Sequence, residues 1–252
     1  MKKPQFPLSF YCLISSFLLL PVVKAGSNTS TENRVVTAAV VSEAAIAAEE
    51  SAAMESRAMA IYEELGLDRL GLNQKAMIYA YKGFQKLAKS GKLDNTEILT
   101  VCDFTQPSTS KRMYILDIRD MKVLVNTFVA HGKNSGLKYA ERFSNRHESL
   151  QSSLGFYVTK NTYFGKHGLS LRMAGVDRGF NDNAESRAVV VHGANYIGAN
   201  RLGAAYMGRS FGCPAVPQHL SAKVIKLIKN GTCLFIYHPS QNYLKRSTVL
   251  NG

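Results

Sequence analysis

Tryptophan is missing altogether from these 252 residues, cysteine occurs four times and proline seven times. A disulfide-stapled scaffold needs more cysteines in fewer residues, so that class is excluded. Acids are also scarce, 18 against 31 Lys and Arg, for a formal net charge of +13. The basic residues are scattered, and no basic run carries interleaved aromatics, so a nucleic-acid partner has no footprint here. The charge suits a solvated surface with an attraction for carboxylate-rich polymers. There is no Cys-x-x-Cys, no His-x-x-x-His and no GxxxxGK loop. Compact metal-ligand spacing and a phosphate cradle are both wanting, so no metal and no cofactor are expected.

Long apolar runs are confined to the start of the chain. Lys2 and Lys3 precede the stretch Leu8 to Leu20, which is followed by Pro21 and Val23-Lys24-Ala25. A charged start, a short apolar segment and a small residue at the cut describe an export signal over residues 1–25. The expected location is therefore the periplasm or cell envelope, membrane-anchored if the signal stays uncleaved. Cys12 belongs to that signal. Cys102, Cys213 and Cys233 remain, an odd number that leaves at least one thiol outside any intramolecular disulfide.

Residues 26–36, rich in Ser, Thr and Asn, read as a linker. Residues 37–95 read as a helical N-terminal segment. Its first part is rich in Ala and Glu, with Ile46, Met54, Ile61 and Leu65 as a thin apolar stripe. Its second runs from Asn73 as cap to Lys89, with Ala76, Met77, Ala80, Tyr81, Phe84 and Leu87 three or four apart. From 96 to 240 the texture turns to short β-branched and aromatic runs: 98–104, 113–118, 123–129, 155–159, 170–173, 188–191 and 233–237. A short helix at 219–229 closes at Asn230-Gly231, and residues 241–252 read as a tail. The fold class is thus mainly β behind a helical front.

The chemistry concentrates between Arg187 and Gln218. An apolar strand, Ala188-Val189-Val190-Val191, delivers His192-Gly193 at its end. A Gly-rich turn, Ser210-Phe211-Gly212-Cys213, precedes Pro214. A thiol nucleophile needs a base, a group that orients the base, and amide donors for the oxyanion. His131-Gly132 and His167-Gly168 are competing His-Gly pairs, read as substrate-contacting. His147, His219 and His238 read as surface residues. By spacing alone, Cys213 is equally a small buried hydrophobe or a disulfide partner of Cys233.

The pattern His192-Gly193, a Gly-rich stretch, then Ser210-Phe211-Gly212-Cys213 resembles the active-site motif of L,D-transpeptidases of the YkuD type, which cross-link or trim bacterial peptidoglycan. Blocks at 103–108, 129–136, 153–157, 165–168 and 179–182 resemble the murein L,D-transpeptidase branch, and the likeness runs from about residue 72 to about residue 238. The resemblance implies a YkuD-like β-sandwich catalytic domain over 96–240. It implies Cys213 as nucleophile, His192 as base and the Gly193 carbonyl as its orienting group. It further implies Ser210 in support of the turn, the Gly212 and Cys213 amides at the oxyanion, and peptidoglycan stem peptides as partners. The family's Arg after the Cys is replaced here by Pro214-Ala215, which leaves Arg209 as the candidate substrate-binding Arg.

Three readings stand at this point. One is a transpeptidase making 3→3 cross-links or exchanging terminal D-Ala. The second is an L,D-carboxypeptidase or other wall-peptide hydrolase using the same thiol. The third is a non-catalytic wall-binding module with Cys213 and Cys233 paired.

Overall fold

The structure, a computed structural model, describes residues 31–252, with side chains from residue 43 onward. The expected signal over residues 1–25 lies outside the described residues. Ala47–Gly252 form one compact unit, and helix α1 spans Thr31–Glu64. It takes in residues 31–36, which read as linker. No Gly or Pro interrupts the chain between Thr31 and Glu64, and the run of Ala and Glu that follows favours helix throughout. The expected apolar stripe is real only at its C-terminal end: Ala58, Ile61 and Tyr62 are buried, whereas Ile46 is 58% exposed. Gly66, at φ +58, ends the helix, with Leu67 N–H donating to the Tyr62 carbonyl and Gly66 N–H to that of Glu63.

Helix α2, Gln74–Lys89, starts where its cap demands. The Asn73 side chain accepts from the amides of Lys75 and Ala76. Its buried face is Ala76, Met77, Ala80, Tyr81, Phe84 and Leu87, and it packs on the sheet beside β1 (Ile98–Asp103) and β8 (Cys233–Tyr237). Gly83 permits the close approach, since a Cβ there would stand 2.0 Å from the Phe156 ring.

The remaining strands are β2 (Met113–Asp117), β3 (Lys122–Thr127), β4 (Gly155–Gly165), β5 (Gly168–Gly175), β6 (Val190–Ala194) and β7 (Ala215–Pro217). All eight join one sheet in the order β3-β2-β1-β8-β4-β5-β6-β7. The β1–β8 and β6–β7 pairs are parallel and the others antiparallel. The mainly β architecture behind a helical segment holds, with the layers drawn from a single continuous sheet. Helix α3, Gln218–Ile228, packs on β5, β6 and β7 and also reaches β1. Three strands separate β1 from β6 in the order, so a helix touching both lies in the hollow of a strongly curved sheet. The sheet edges nearly meet. Ala130, just beyond β3, donates its N–H to the Ala215 carbonyl of β7 at 2.8 Å, and Gly132 forms a parallel bridge with Ser210.

Several boundaries differ from the sequence reading, each for a local reason. β6 begins at Val190 because Ala188 is left-handed, at φ 54, so His192 sits inside the strand rather than at its end. β4 and β5 are longer than expected. Their outer halves form a hairpin whose solvent-facing tip carries little periodicity. β7, three residues that follow Pro214 and end in Pro217, carries no strand signal. The tail is not a tail: α4 (Gln241–Arg246) and α5 (Thr248–Asn251) bury Tyr243, Val249 and Leu250. Cys102, Cys213 and Cys233 are all free, and β4, β5 and β6 separate the strands that carry or follow Cys233 and Cys213. The Cys213–Cys233 pairing of the wall-binding reading is therefore corrected.

The C-terminal helices are tied in by one buried carboxylate. Asp177 accepts from the Phe156 amide (2.8 Å), the Tyr243 hydroxyl (2.9 Å) and the Ser247 hydroxyl. A hydrogen bond to a buried charge is worth about 1.5–3 kcal/mol, and its unpaired partners add a penalty. Asp177→Ala is expected to cost about 3 kcal/mol or more in urea unfolding. A loss below about 1 kcal/mol would show that these helices are anchored otherwise.

Candidate active site

The turn before β7 presents Cys213 through a two-way hydrogen bond. Ser210 Oγ accepts the Gly212 amide at 3.1 Å and donates to the Cys213 carbonyl at 2.6 Å. Gly212 is at φ +127, and a Cβ there would stand 2.9 Å from the Gln151 carbonyl oxygen, so both conformation and space require glycine. The arrangement corrects one expectation: with its N–H donated to Ser210, Gly212 offers no free oxyanion donor. Cys213 Sγ accepts the Val190 amide at 3.5 Å and faces the Ala188 carbonyl at 3.8 Å. Burial pushes the thiol above its ordinary pKa, while the Val190 amide, Arg187 and Lys166 pull the other way.

His192 extends from β6 in register with Ser170 on one side and Ala215 on the other. Its Nδ1 lies 2.8 Å from the Gly193 carbonyl oxygen, an acceptor that makes Nδ1 the protonated nitrogen and leaves Nε2 the lone pair. Gly193 itself is pressed against α3, where a Cβ would stand 2.6 Å from Gln218 Oε1. The imidazole is held below the usual histidine pKa, chiefly by burial and further by His167 and Lys166, so its resting form is neutral. His167, at the exposed tip of the β4–β5 hairpin, stacks on it with ring centroids 4.2 Å apart and planes 20° apart.

Cys213, His192, His167, Ser210 and Arg209 line one cavity of about 630 Å³. Sequence reasoning missed Arg187, Lys166 and the aromatic walls Tyr163, Tyr196 and Phe211, which line it too. Phe211, beside the cysteine and 67% exposed, was visible in the motif but had no signal of its own. Among the described residues no Asp or Glu lines this cavity, whereas Lys166, Arg187 and Arg209 all do. Arg209 is tethered by Nη1 to the carbonyls of Lys133 (2.7 Å) and Gly136 (3.2 Å), which leaves its other nitrogens for a ligand.

His131 does not reach the cavity, which corrects its reading as a substrate contact. It is fully buried, with Nδ1 accepting from Arg112 at 2.8 Å and Nε2 donating to the Gly136 carbonyl at 3.2 Å. Arg112 is likewise buried and donates to the Val129 and Gln106 carbonyls. His238 is not a surface residue either; it is half-buried against Phe143. Burial and the Arg112 charge hold His131 down to about 4. The unfolded chain therefore takes up this proton first as pH falls. The stability from keeping His131 neutral is complete above about pH 6.5 and is lost as pH drops toward 4, at about 1.4 kcal/mol per pH unit. NMR titration of the folded protein should put the imidazole midpoint near about 4. A midpoint above 6 would contradict the buried pairing with Arg112.

Residues 68–237 match the family model described as the L,D-transpeptidase catalytic domain. No curated protein matches the chain. Among solved structures, an L,D-transpeptidase from Mycobacterium smegmatis is similar at 14% identity and TM-score 0.36, covering 56% of this chain and 59% of that one. A mutant of the helical cell shape determining protein Pgp2 from Campylobacter jejuni aligns at 14% identity and TM-score 0.37, over 64% and 57%. A mutant L,D-transpeptidase from Enterococcus faecium aligns at 12% identity and TM-score 0.34, over 56% and 50%. The chain thus spans less than two thirds of each of these proteins. With the family match covering most of the sequence, the chain belongs to the L,D-transpeptidase catalytic domain family.

Proposed function

We propose that this protein is a peptidoglycan L,D-transpeptidase, exported to the cell envelope, that works through a thioester on Cys213. The observation that carries the reading is the shared cavity wall. A free thiol on a rigid turn and a neutral imidazole, with Nδ1 committed to the Gly193 carbonyl, open onto the same space. His192 Nε2 takes the thiol proton, and the sulfur attacks the carbonyl carbon of the diaminopimelate residue in a tetrapeptide stem. The Cys213 amide is the oxyanion donor, since that of Gly212 is occupied. As the tetrahedral intermediate collapses, the imidazolium protonates the departing amine of D-Ala. A side-chain amine of a second stem then attacks the thioester, His192 takes its proton, and a 3→3 cross-link forms as the thiol is restored. A cavity lined by three cations and no carboxylate suits a stem peptide, which carries several carboxylates.

Water in place of the acceptor amine gives carboxypeptidase trimming by the same acyl-enzyme. Incubation with disaccharide-tetrapeptide, followed by mass spectrometry, separates the outcomes: a dimer lacking one D-Ala for cross-linking, a tripeptide for trimming. Cys213→Ala should release no D-Ala and form no covalent adduct, while the wild type does both. Equal release by the two proteins would remove the thiol from the mechanism.

A further inference from the structure

Arg187 stands in the residue stretch that wraps the sulfur. Both contacts of Cys213 Sγ come from residues within three of it, the Ala188 carbonyl and the Val190 amide. The guanidinium also packs beside the turn itself, since a Cβ on Gly212 would lie 3.5 Å from Arg187 Nη2. Its hydrogen bonds are as telling as its place. Nη1 donates to the Ser144 carbonyl at 2.8 Å and to Ser153 Oγ, and Nη2 donates to Ser149 Oγ at 3.1 Å and the Gln151 carbonyl at 2.9 Å. Every one of these acceptors is neutral. A half-buried cation held in this way keeps its full charge, which a carboxylate partner would cancel.

We propose that Arg187 is a positioning residue that sets the ionisation of Cys213, a guanidinium braced by neutral oxygens so that its charge is available to the sulfur. The proposal rests on the reading of Cys213 as nucleophile and adds the group that makes its thiolate accessible. Activation breaks the S–H bond, leaves the electron pair on sulfur and forms an N–H bond on His192 Nε2, so a neutral pair becomes an ion pair. A nearby cation helps this step only where it acts on the sulfur more than on the imidazole. Lys166, from the β4–β5 turn, bears on both groups, favouring the thiolate and opposing the imidazolium, so its effects offset. His167, stacked on His192, opposes only the imidazolium. Arg187 bears on the sulfur from beside the turn that carries it, its guanidinium packed against Gly212. Arg209 lines the cavity with Nη1 tied to the Lys133 and Gly136 carbonyls, and Tyr196, raised by burial and by Cys213, is neutral.

The test is the rate of iodoacetamide alkylation against pH. It needs no substrate and reports on Cys213, since Cys102 and Cys233 are fully buried and Cys213→Ala supplies the blank for Cys12. Arg187→Gln should raise the apparent thiol pKa by about one pH unit, seen as about tenfold slower alkylation at pH values below the midpoint. Arg187→Lys, which keeps the charge and loses the fork, should leave it within a few tenths. Gln and Lys variants that shift alike would reduce Arg187 to a brace, and an unshifted Gln variant would remove it altogether. Should Arg187→Gln fail to fold by near-ultraviolet circular dichroism, Ser149→Asp and Ser149→Asn take its place. The new carboxylate would pair with Nη2 and raise the thiol pKa, whereas the amide would not; no difference between them overturns the proposal. Shifted alkylation with no D-Ala release by the wild type would keep the charge effect and discard the transpeptidase reading. Release with an unshifted thiol would do the reverse.

Discussion

Ser210 Oγ accepts one amide and donates to one carbonyl within the four residues that end at Cys213, and the direction of the sulfur follows from that closed turn. The turn is in turn clamped from both sides. Lys133 donates its amide to the Ser210 carbonyl at 2.7 Å and the Ser210 amide goes to the His131 carbonyl at 3.0 Å, so the segment crossing between the sheet edges serves as a neighbouring strand. Opposite, the loop through Gln151 and Ser152 lies over Gly212 so closely that no side chain fits. A thiol mounted in this way would lose little conformational freedom on reacting, which is the advantage of a rigid element for the proposed nucleophile.

The rest of the molecule holds these clamps in place with buried charged groups satisfied by neutral partners. Asp103 accepts from the Asn73 amide, from the Thr105 amide and hydroxyl, and from Gln106, and so joins the start of α2 to the end of β1. Arg112 gathers the carbonyls of Val129 and Gln106 together with His131, and so fixes where the crossing segment leaves β3. Asp177 ties α4 and α5 to β4. Each hub sits at or beside the end of a strand, where elements meet, and not in a strand's interior. A charge there needs several backbone partners to offset its desolvation, and loops are where unpaired backbone groups are found.

These hubs also mark what could not be read from the chain. The face of α2 was legible because its apolar residues recur at helical spacing and Asn73 caps it, both local facts. β8 was legible as five apolar residues closed by turn signals. The last twelve residues looked like a tail because Tyr243, Val249 and Leu250 are spaced among Lys, Arg and Ser, and their burial depends on Asp177, some seventy positions away. Cys213, His192 and Ser210 stood out through a motif, and Gly212 through the need for glycine. Arg187 did not, because all its acceptors lie 34 to 43 residues earlier in a loop whose path no local pattern reveals. His131 shows the opposite error. A His-Gly pair resembles a site residue in sequence, yet here the backbone of that pair supplies the clamp while the ring is spent inside the core.

The electrostatics of the resting site favour a neutral thiol beside a neutral imidazole. Burial raises the pKa of one and lowers that of the other, and both shifts oppose separated charge. The thiol proton has the Ala188 carbonyl as its partner, and the sulfur has the Val190 amide. The imidazole is shielded by the stacked ring of His167. Such a pair is poorly nucleophilic at rest, because the thiolate is the reactive form. An anionic group seated against Lys166 would relieve the imidazole and withdraw support from the thiolate together, while the half-buried Arg187, beside the turn, would keep favouring the thiolate. Within this arrangement Lys166 leaves the balance between the neutral and the ionised pair largely unchanged, and the guanidinium beside the turn is the charge that would tip it toward the thiolate.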